Sequence, residues 1–202
     1  MDTIVFYVHG FNSGAKSSTV ARVTEALGDG YHVVPLHYNS GNDYYTNMID
    51  LLAQINHVAI DYPLDNVVIV GTSLGAYYAH QLSQKLAIGC IMINPAIKPK
   101  DVLAKFIGDN TNYVTGEKYR LLVSVVDSYP EMLHLSRIAT TVYVSKNDEL
   151  ITDNVQTVEK TLGNAVNIVV TDTKHRIDDF AKLEDFKHNV NMCSLNLAIF
   201  ED

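Results

Sequence analysis

A serine hydroxyl attacks a carbonyl carbon near neutral pH only when a base takes its proton and an acid orients that base. Stretches of this 202-residue chain supply such groups in a telling order. The sharpest is Gly71-Thr72-Ser73-Leu74-Gly75, a G-x-S-x-G pattern. It directly follows Asn66-Val67-Val68-Ile69-Val70 and precedes Ala76-Tyr77-Tyr78-Ala79-His80-Gln81-Leu82. A strand before and a helix after are the setting in which such a turn lifts a serine hydroxyl to a sheet edge. Small residues beside Ser73 permit a sharp turn, and helix N-terminal amides favour negative charge there. The plainer reading is an ordinary strand-to-helix turn in which Ser73 caps the helix.

Nucleophile-elbow hydrolases place their acid and then their histidine after the serine in the chain. Thr141-Val142-Tyr143-Val144-Ser145-Lys146-Asn147-Asp148 sets an acid just beyond an apolar run, and Glu149 stands beside it as a rival. Val170-Thr171-Asp172-Thr173-Lys174-His175 sets a histidine beyond the next run. Asp153 reads as a helix N-cap, and Asp172 is close to His175 in sequence. Among the other histidines, His32 and His37 accompany an early strand, His57, His80 and His188 lie in helical patterns, and His134 precedes the acid. The expected set is Ser73 as nucleophile, His175 as base and acid, and Asp148 as orienting carboxylate, with Glu149 open as the alternative.

Acyl transfer also needs donors for a developing oxyanion, each worth about 3 kcal/mol. The amide of Leu74 follows the nucleophile, and the loop His9-Gly10-Phe11-Asn12-Ser13-Gly14 offers the amide of Phe11. His9 reads as a structural residue shaping that loop. The same loop supports a weaker reading. Gly10, Lys16 and Ser17 match three elements of a phosphate-binding G-x-x-x-x-G-K-[ST] pattern, but Ala15 stands where its second glycine is required. That reading uses neither Ser73 nor His175.

Positioning these groups requires a regular frame. Apolar, β-branched runs at Ile4–Val8, His32–Leu36, Asn66–Val70, Ile88–Ile93, Thr140–Ser145 and Val166–Val170 predict strands. Helical patterns lie near 16–28, 44–60, 75–87, 99–107, 153–162 and 179–198. Near-continuous hydrophobic strands suit a parallel sheet covered on both faces, so the expected class is a three-layer α/β fold in one domain over 1–202. A long connection at about 109–135, with a short helix near Leu121–Val126, follows the fourth strand and is expected to form a lid or cap. There Tyr113, Tyr119 and Tyr129 are candidates to line an acyl pocket.

Composition narrows the partners. Fifteen Lys and Arg against 23 Asp and Glu give a formal charge of −8, which disfavours an extended nucleic-acid surface. Cys90 and Cys193 are too few and too far apart for a disulfide framework, and no Cys/His cluster suggests a metal. The run Thr3–Val8 is too short for a membrane span and lacks a basic flank and cleavage site. The expectation is a cytoplasmic protein without stable membrane insertion.

With these motifs assembled, the chain resembles the α/β-hydrolase superfamily, and within it the YqiA-like small bacterial esterases. The matching blocks are His9-Gly10-Phe11-Asn12-Ser13, Gly71–Gly75 with Tyr77-Tyr78-Ala79, Asn94-Pro95-Ala96, Thr115-Gly116 with Tyr119, Asp148-Glu149, and His175. The resemblance implies hydrolysis of a small-molecule carboxylic ester or acyl thioester through a serine acyl-enzyme, without metal or organic cofactor. It also implies a sheet of about six strands in spatial order 2-1-3-4-5-6. Departures are Ala76, where a glycine is common after the elbow, and Thr173-Lys174, where a glycine pair is expected. Lys174 and Arg176 thereby flank His175 with charge. The competing class is a hydrolase-fold binding protein, catalytically weak or inactive, that works through a protein partner.

Overall fold

The computed structural model describes residues 2–60, 66–133 and 138–196. Its sheet comprises β1 (Thr3–Val8), β2 (Tyr31–Leu36), β3 (Val67–Thr72), β4 (Gly89–Ile93), β7 (Thr140–Ser145) and β8 (Asn167–Thr171). All are parallel, in spatial order β2-β1-β3-β4-β7-β8. This is the expected order, the fifth and sixth predicted strands being β7 and β8.

Alternate side chains of each strand enter different cores, which is why the runs are apolar at nearly every position. Ile4, Phe6 and Val8 join Ile69, Met92 and Val142 on one face, under α2 (Tyr44–Ala59), α3 (Leu74–Leu86) and α6 (Asn154–Leu162). Val5 and Tyr7 join Val70, Ile91 and Tyr143 on the other, under α1 (Ser18–Leu27) and α7 (Phe186–Ser194). Helices therefore cover both faces, making three layers. Tyr77 and Tyr78 of α3 are fully buried, packed against Tyr44 of α2 and Tyr129 of the long connection, and both cysteines are free and buried.

Several boundaries differ from expectation. The helix anticipated at 99–107 is α4, Pro99–Ala104, because the chain then turns so that Phe106 packs on Phe11, ring centroids 5.1 Å apart. The pattern at 179–198 holds a 3-10 turn, Phe180–Lys182, followed by α7. An extended Leu183 and a left-handed Asp185, φ 51°, separate them; residues 197–198 lie outside the described residues. Asp153 occupies the N-cap position of α6 but at φ 57°, with no capping bond from its side chain.

The long connection is ordered by its own hairpin. β5 (Gly108–Thr111) and β6 (Lys118–Leu121) pair antiparallel, and α5 (Val123–Asp127) follows. β5 is Gly-Asp-Asn-Thr, with no apolar residue to alternate, while in β6, Lys-Tyr-Arg-Leu, Tyr119 and Leu121 alternate over four residues only, the shortest run that can signal a strand. Positions 134 and 135, and with them His134, lie outside the described residues.

The elbow is a tight place in this frame. A Cβ at Gly75 would lie 2.2 Å from Val8 O and 2.3 Å from His9 O, and one at Gly71 would lie 2.3 Å from Gly75 O. These neighbours are backbone and cannot swing aside. Gly75→Ala is therefore expected to destabilise by at least about 2 kcal/mol, lowering the melting temperature by roughly 4–8 °C. An unchanged melting temperature by calorimetry would contradict this packing.

Candidate active site

Ser73 stands between β3 and α3 with φ 55° and ψ −121°. A residue with a Cβ holds such a backbone at a cost of about 1–3 kcal/mol, offset by its surroundings. Here the Ser73 N–H donates to Ile93 O (2.9 Å), while its carbonyl accepts from Ala76 N (3.0 Å) and Ala96 N (3.1 Å). Ser73 occupies the N-cap position of α3, yet its side chain makes no capping hydrogen bond. The hydroxyl is thus not used as an ordinary helix cap.

Asp148 and His175 meet directly. His175 Nδ1 lies 2.9 Å from Asp148 Oδ1 and 2.8 Å from Oδ2, and the two side chains are 11% and 2% exposed. Further donors hold the carboxylate: the amides of Leu150 (3.0 Å) and Ile151 (2.8 Å), and Asn154 Nδ2 (3.3 Å). Burial pushes the Asp148 carboxyl up, but the hydrogen bond from His175 and the Ile151 amide, with the charge of the imidazole and the Leu150 amide, outweigh it. The net effect holds it below the usual carboxylate range.

Glu149, the rival acid, takes a different part of the same histidine: its Oε2 accepts the His175 backbone N–H at 3.0 Å. Asp172 forms an exposed ion pair with Lys146 at 2.6 Å instead. Neighbouring carboxylates thus fix the His175 ring and backbone separately. The Ser73 hydroxyl and the His175 ring are not hydrogen-bonded to one another among the described residues, a contact that in unliganded enzymes often tightens only with substrate. Ser73 and His175 are joined through the segment after β4, where Asn94 Nδ2 donates to His175 O at 2.8 Å.

The loop after β1 lies against the elbow, with an added Cβ at Gly10 falling 3.4 Å from Ser73 Cβ. Neither the Phe11 N–H nor the Leu74 N–H has an acceptor among the described residues. Further along the loop, Asn12 N donates to Ser40 Oγ (2.9 Å) and Ser17 N to Gly14 O (3.0 Å).

His9 is a buried prop. It is 1% exposed and stacks on Tyr38 at 4.4 Å. Its Nδ1–H donates to Gly10 O (2.9 Å), so its Nε2 must accept from the Tyr38 N–H (3.5 Å). This fixes one neutral tautomer, and burial pushes its pKa down to about 4.

Asparagines do much of the fastening, and their identity alone announced none of it. Asn12, 2% exposed at φ 56°, donates from Nδ2 to Asn110 Oδ1 (3.2 Å), accepts from the Tyr119 hydroxyl, and receives Tyr113 N on its carbonyl (2.8 Å). Asn112 Nδ2 donates to Ser13 O at 2.8 Å. The β5–β6 hairpin therefore grips the loop that presents Phe11.

The three candidate pocket tyrosines part company. The Tyr113 side chain stands in solvent, 80% exposed, and Tyr119 is half-buried beside Asn12. Tyr129 is 1% exposed, its hydroxyl 2.8 Å from that of Tyr78, within a cluster that includes Tyr44 and Tyr77. It fastens the insertion to the elbow helix.

A family model described as an uncharacterised protein family, UPF0227, matches residues 4–190. The chain belongs to this family. UPF0227 corresponds to the YqiA-like group that the motifs resemble, and the fold is the three-layer α/β-hydrolase fold. Solved structures share the fold at low identity. Est1E from Butyrivibrio proteoclasticus is 16% identical with a TM-score of 0.66, covering 93% of this chain and 86% of its own. A monoacylglycerol lipase from Paleococcus ferrophilus is 13% identical with a TM-score of 0.66, covering 96% of each chain. An esterase from Pyrococcus furiosus is 17% identical with a TM-score of 0.65, covering 94% of this chain and 79% of that one. In this UPF0227 member no helix among the described residues is long and apolar enough to cross a membrane.

Neutral burial of His9 has a consequence for stability. The unfolded chain titrates this imidazole near its ordinary 6.5, whereas the folded chain resists protonation until about 4. Between those values the unfolded state binds more protons, so stability is full above about pH 6.5 and falls on acidification towards pH 4. The loss at pH 4.5 relative to pH 7.5 is expected to be roughly 2–3 kcal/mol. Urea unfolding of wild type and His9→Gln at both pH values checks this: the variant should lose less stability on acidification, and parallel losses would refute the assignment.

Proposed function

We propose that this protein is a serine esterase or acyl-thioesterase, with Ser73 as nucleophile, His175 as base and acid, and Asp148 as orienting carboxylate. The observation that supports this best is the pairing of His175 Nδ1 with the buried Asp148 carboxylate (2.8 Å) beside an elbow whose serine is not used as a cap. A carboxylate on Nδ1 fixes the tautomer that leaves Nε2 able to take a proton, and it stabilises the imidazolium that results. The neighbours named as esterases and a lipase share this fold and agree with the reading.

In this mechanism Ser73 Oγ attacks the acyl carbonyl carbon as its proton passes to His175 Nε2. Negative charge develops on the carbonyl oxygen, where the amides of Phe11 and Leu74 stabilise it. Collapse breaks the bond to the alcohol or thiol, which leaves with the proton from His175. Water, deprotonated by the same imidazole, then attacks the acyl-enzyme and releases the acid.

Fluorophosphonate labelling with mass-spectrometric site mapping tests this first. Modification is expected at Ser73 and is lost in Ser73→Ala and His175→Ala, with turnover of an acyl ester and thioester panel falling by several orders of magnitude in both. Asp148→Asn should lower kcat roughly 10³–10⁴-fold, while Glu149→Gln, which still offers an oxygen to the His175 amide, should cost less than about tenfold. A folded wild type that is neither labelled nor active would reject the enzyme reading and favour a binding role through a protein partner.

A further inference from the structure

Asn94 follows directly on β4, between the strand that leads to Ser73 and the strand that leads to Asp148. It is 1% exposed and holds φ 44°, a backbone that asparagine tolerates better than most residues. Its backbone N–H donates to Tyr143 O at 2.8 Å. Its side chain is divided: Oδ1 accepts the Ser145 N–H at 2.8 Å, while Nδ2 donates to His175 O at 2.8 Å and Lys174 O at 3.1 Å. The partners fix the amide's orientation, since an N–H faces one end and carbonyls face the other. On either side in sequence, Ile93 O and the Ala96 N–H grip the N–H and carbonyl of Ser73.

One buried side chain therefore ties the end of the acid's strand to the histidine loop, within the segment that holds the nucleophile's backbone. We infer that Asn94 is a positioning residue for the reaction: through the His175 carbonyl it sets where the imidazole stands relative to the Ser73 hydroxyl. The inference rests on the proposed roles of Ser73 and His175. Asp148 and Glu149 fix the His175 ring and N–H, but both belong to the loop after β7. Among the described residues, the hydrogen bonds that tie the histidine loop to the segment that clasps Ser73 are those of Asn94. Displacing a reacting group by about 1 Å is enough to cost roughly 100-fold.

The test uses Asn94→Asp and Asn94→Gly. Aspartate keeps the size and the acceptor for Ser145 but turns an oxygen towards the carbonyls of Lys174 and His175. Glycine keeps the positive φ and removes every side-chain bond, so it serves if the aspartate variant does not fold. For wild type and variants, the folded fraction is measured by circular dichroism, with kcat and KM on an acyl ester. The rate constant and final extent of fluorophosphonate labelling at Ser73 are followed alongside. Mispositioning predicts a kcat and a labelling rate constant each lower by about 100-fold, with KM within about threefold and the whole folded fraction still labelled in the end. If the folded molecules instead react at the wild-type rate, and only their number drops, Asn94 is a structural tie alone and the inference is overturned. Wild-type kinetics in folded variants overturn it equally. An unlabelled, inactive wild type removes the serine-nucleophile reading itself, and this inference falls with it.

Discussion

The close approach of helix α3 to the end of β1 is the constraint on which the rest of the site depends. Val8 O and His9 O lie where a side chain on Gly75 would begin, and Gly75 in turn occupies the space beside Gly71. Only at this separation can one sheet edge bring the turn carrying Ser73 and the loop carrying Phe11 side by side. The strain at Ser73 follows from the same geometry, because a helix that starts this close to its strand leaves the connecting residue no relaxed conformation. Hydrogen bonds to Ile93 and Ala96 hold that residue from the far side. The parallel sheet beneath is buried on both faces and gives them a rigid base.

Around that turn the loops are tied by side-chain amides rather than by ion pairs. An asparagine carries a donor and an acceptor on a short, uncharged stem, so it can satisfy peptide groups inside the protein without the desolvation cost of a charge. It also tolerates the left-handed backbone that tight loops demand, as at Asn12 and Asn94. Most of the ion pairs, by contrast, join exposed groups, such as Arg120 with Asp109 and Lys146 with Asp172. The Asp148 carboxylate, hydrogen-bonded to His175, is instead buried. Burying that carboxylate is tolerable because amides and an imidazole surround it.

Legibility in the sequence followed the physics of each part. The inner strands β1, β3, β4 and β7 are legible because both their faces are buried, so their apolar runs hardly depend on register, while the partly buried edge strands β2 and β8 show themselves by β-branched runs. Ser73, Asp148 and His175 emerged from turn context and chain order, and the adjacency of His175 to Asp148 accords with that reading. What separates Asp148 from Glu149 is which oxygen faces the ring and which the backbone, and sequence order is silent on that. The β5–β6 hairpin is hard to read because β5 has no apolar residue and β6 alternates over only four, with Tyr119 and Leu121 inward; bonds to the loop after β1 hold it as well. The asparagine ties escaped for a related reason: a residue type common in exposed turns does not announce that it is buried. Asn12 and Asn94 stand out in the sequence only within blocks of family resemblance, without a stated role.

The insertion's attachments also bear on how the site can move. At its near end, Asn12 bonds to Asn110, Tyr119 and the Tyr113 amide, and Ser13 O receives Asn112. At its far end, Tyr129 is sunk among Tyr44, Tyr77 and Tyr78, the Tyr77 hydroxyl donates to Pro130 O (2.7 Å), and Ser128 Oγ accepts from Tyr44 N (2.9 Å). A flap that opened independently of the site would have to break both sets, including contacts made inside the core. The near-end bonds all fall on the residues immediately after Phe11. Lifting the hairpin would thus disturb the loop that carries the Phe11 amide, because the same hydrogen bonds hold both.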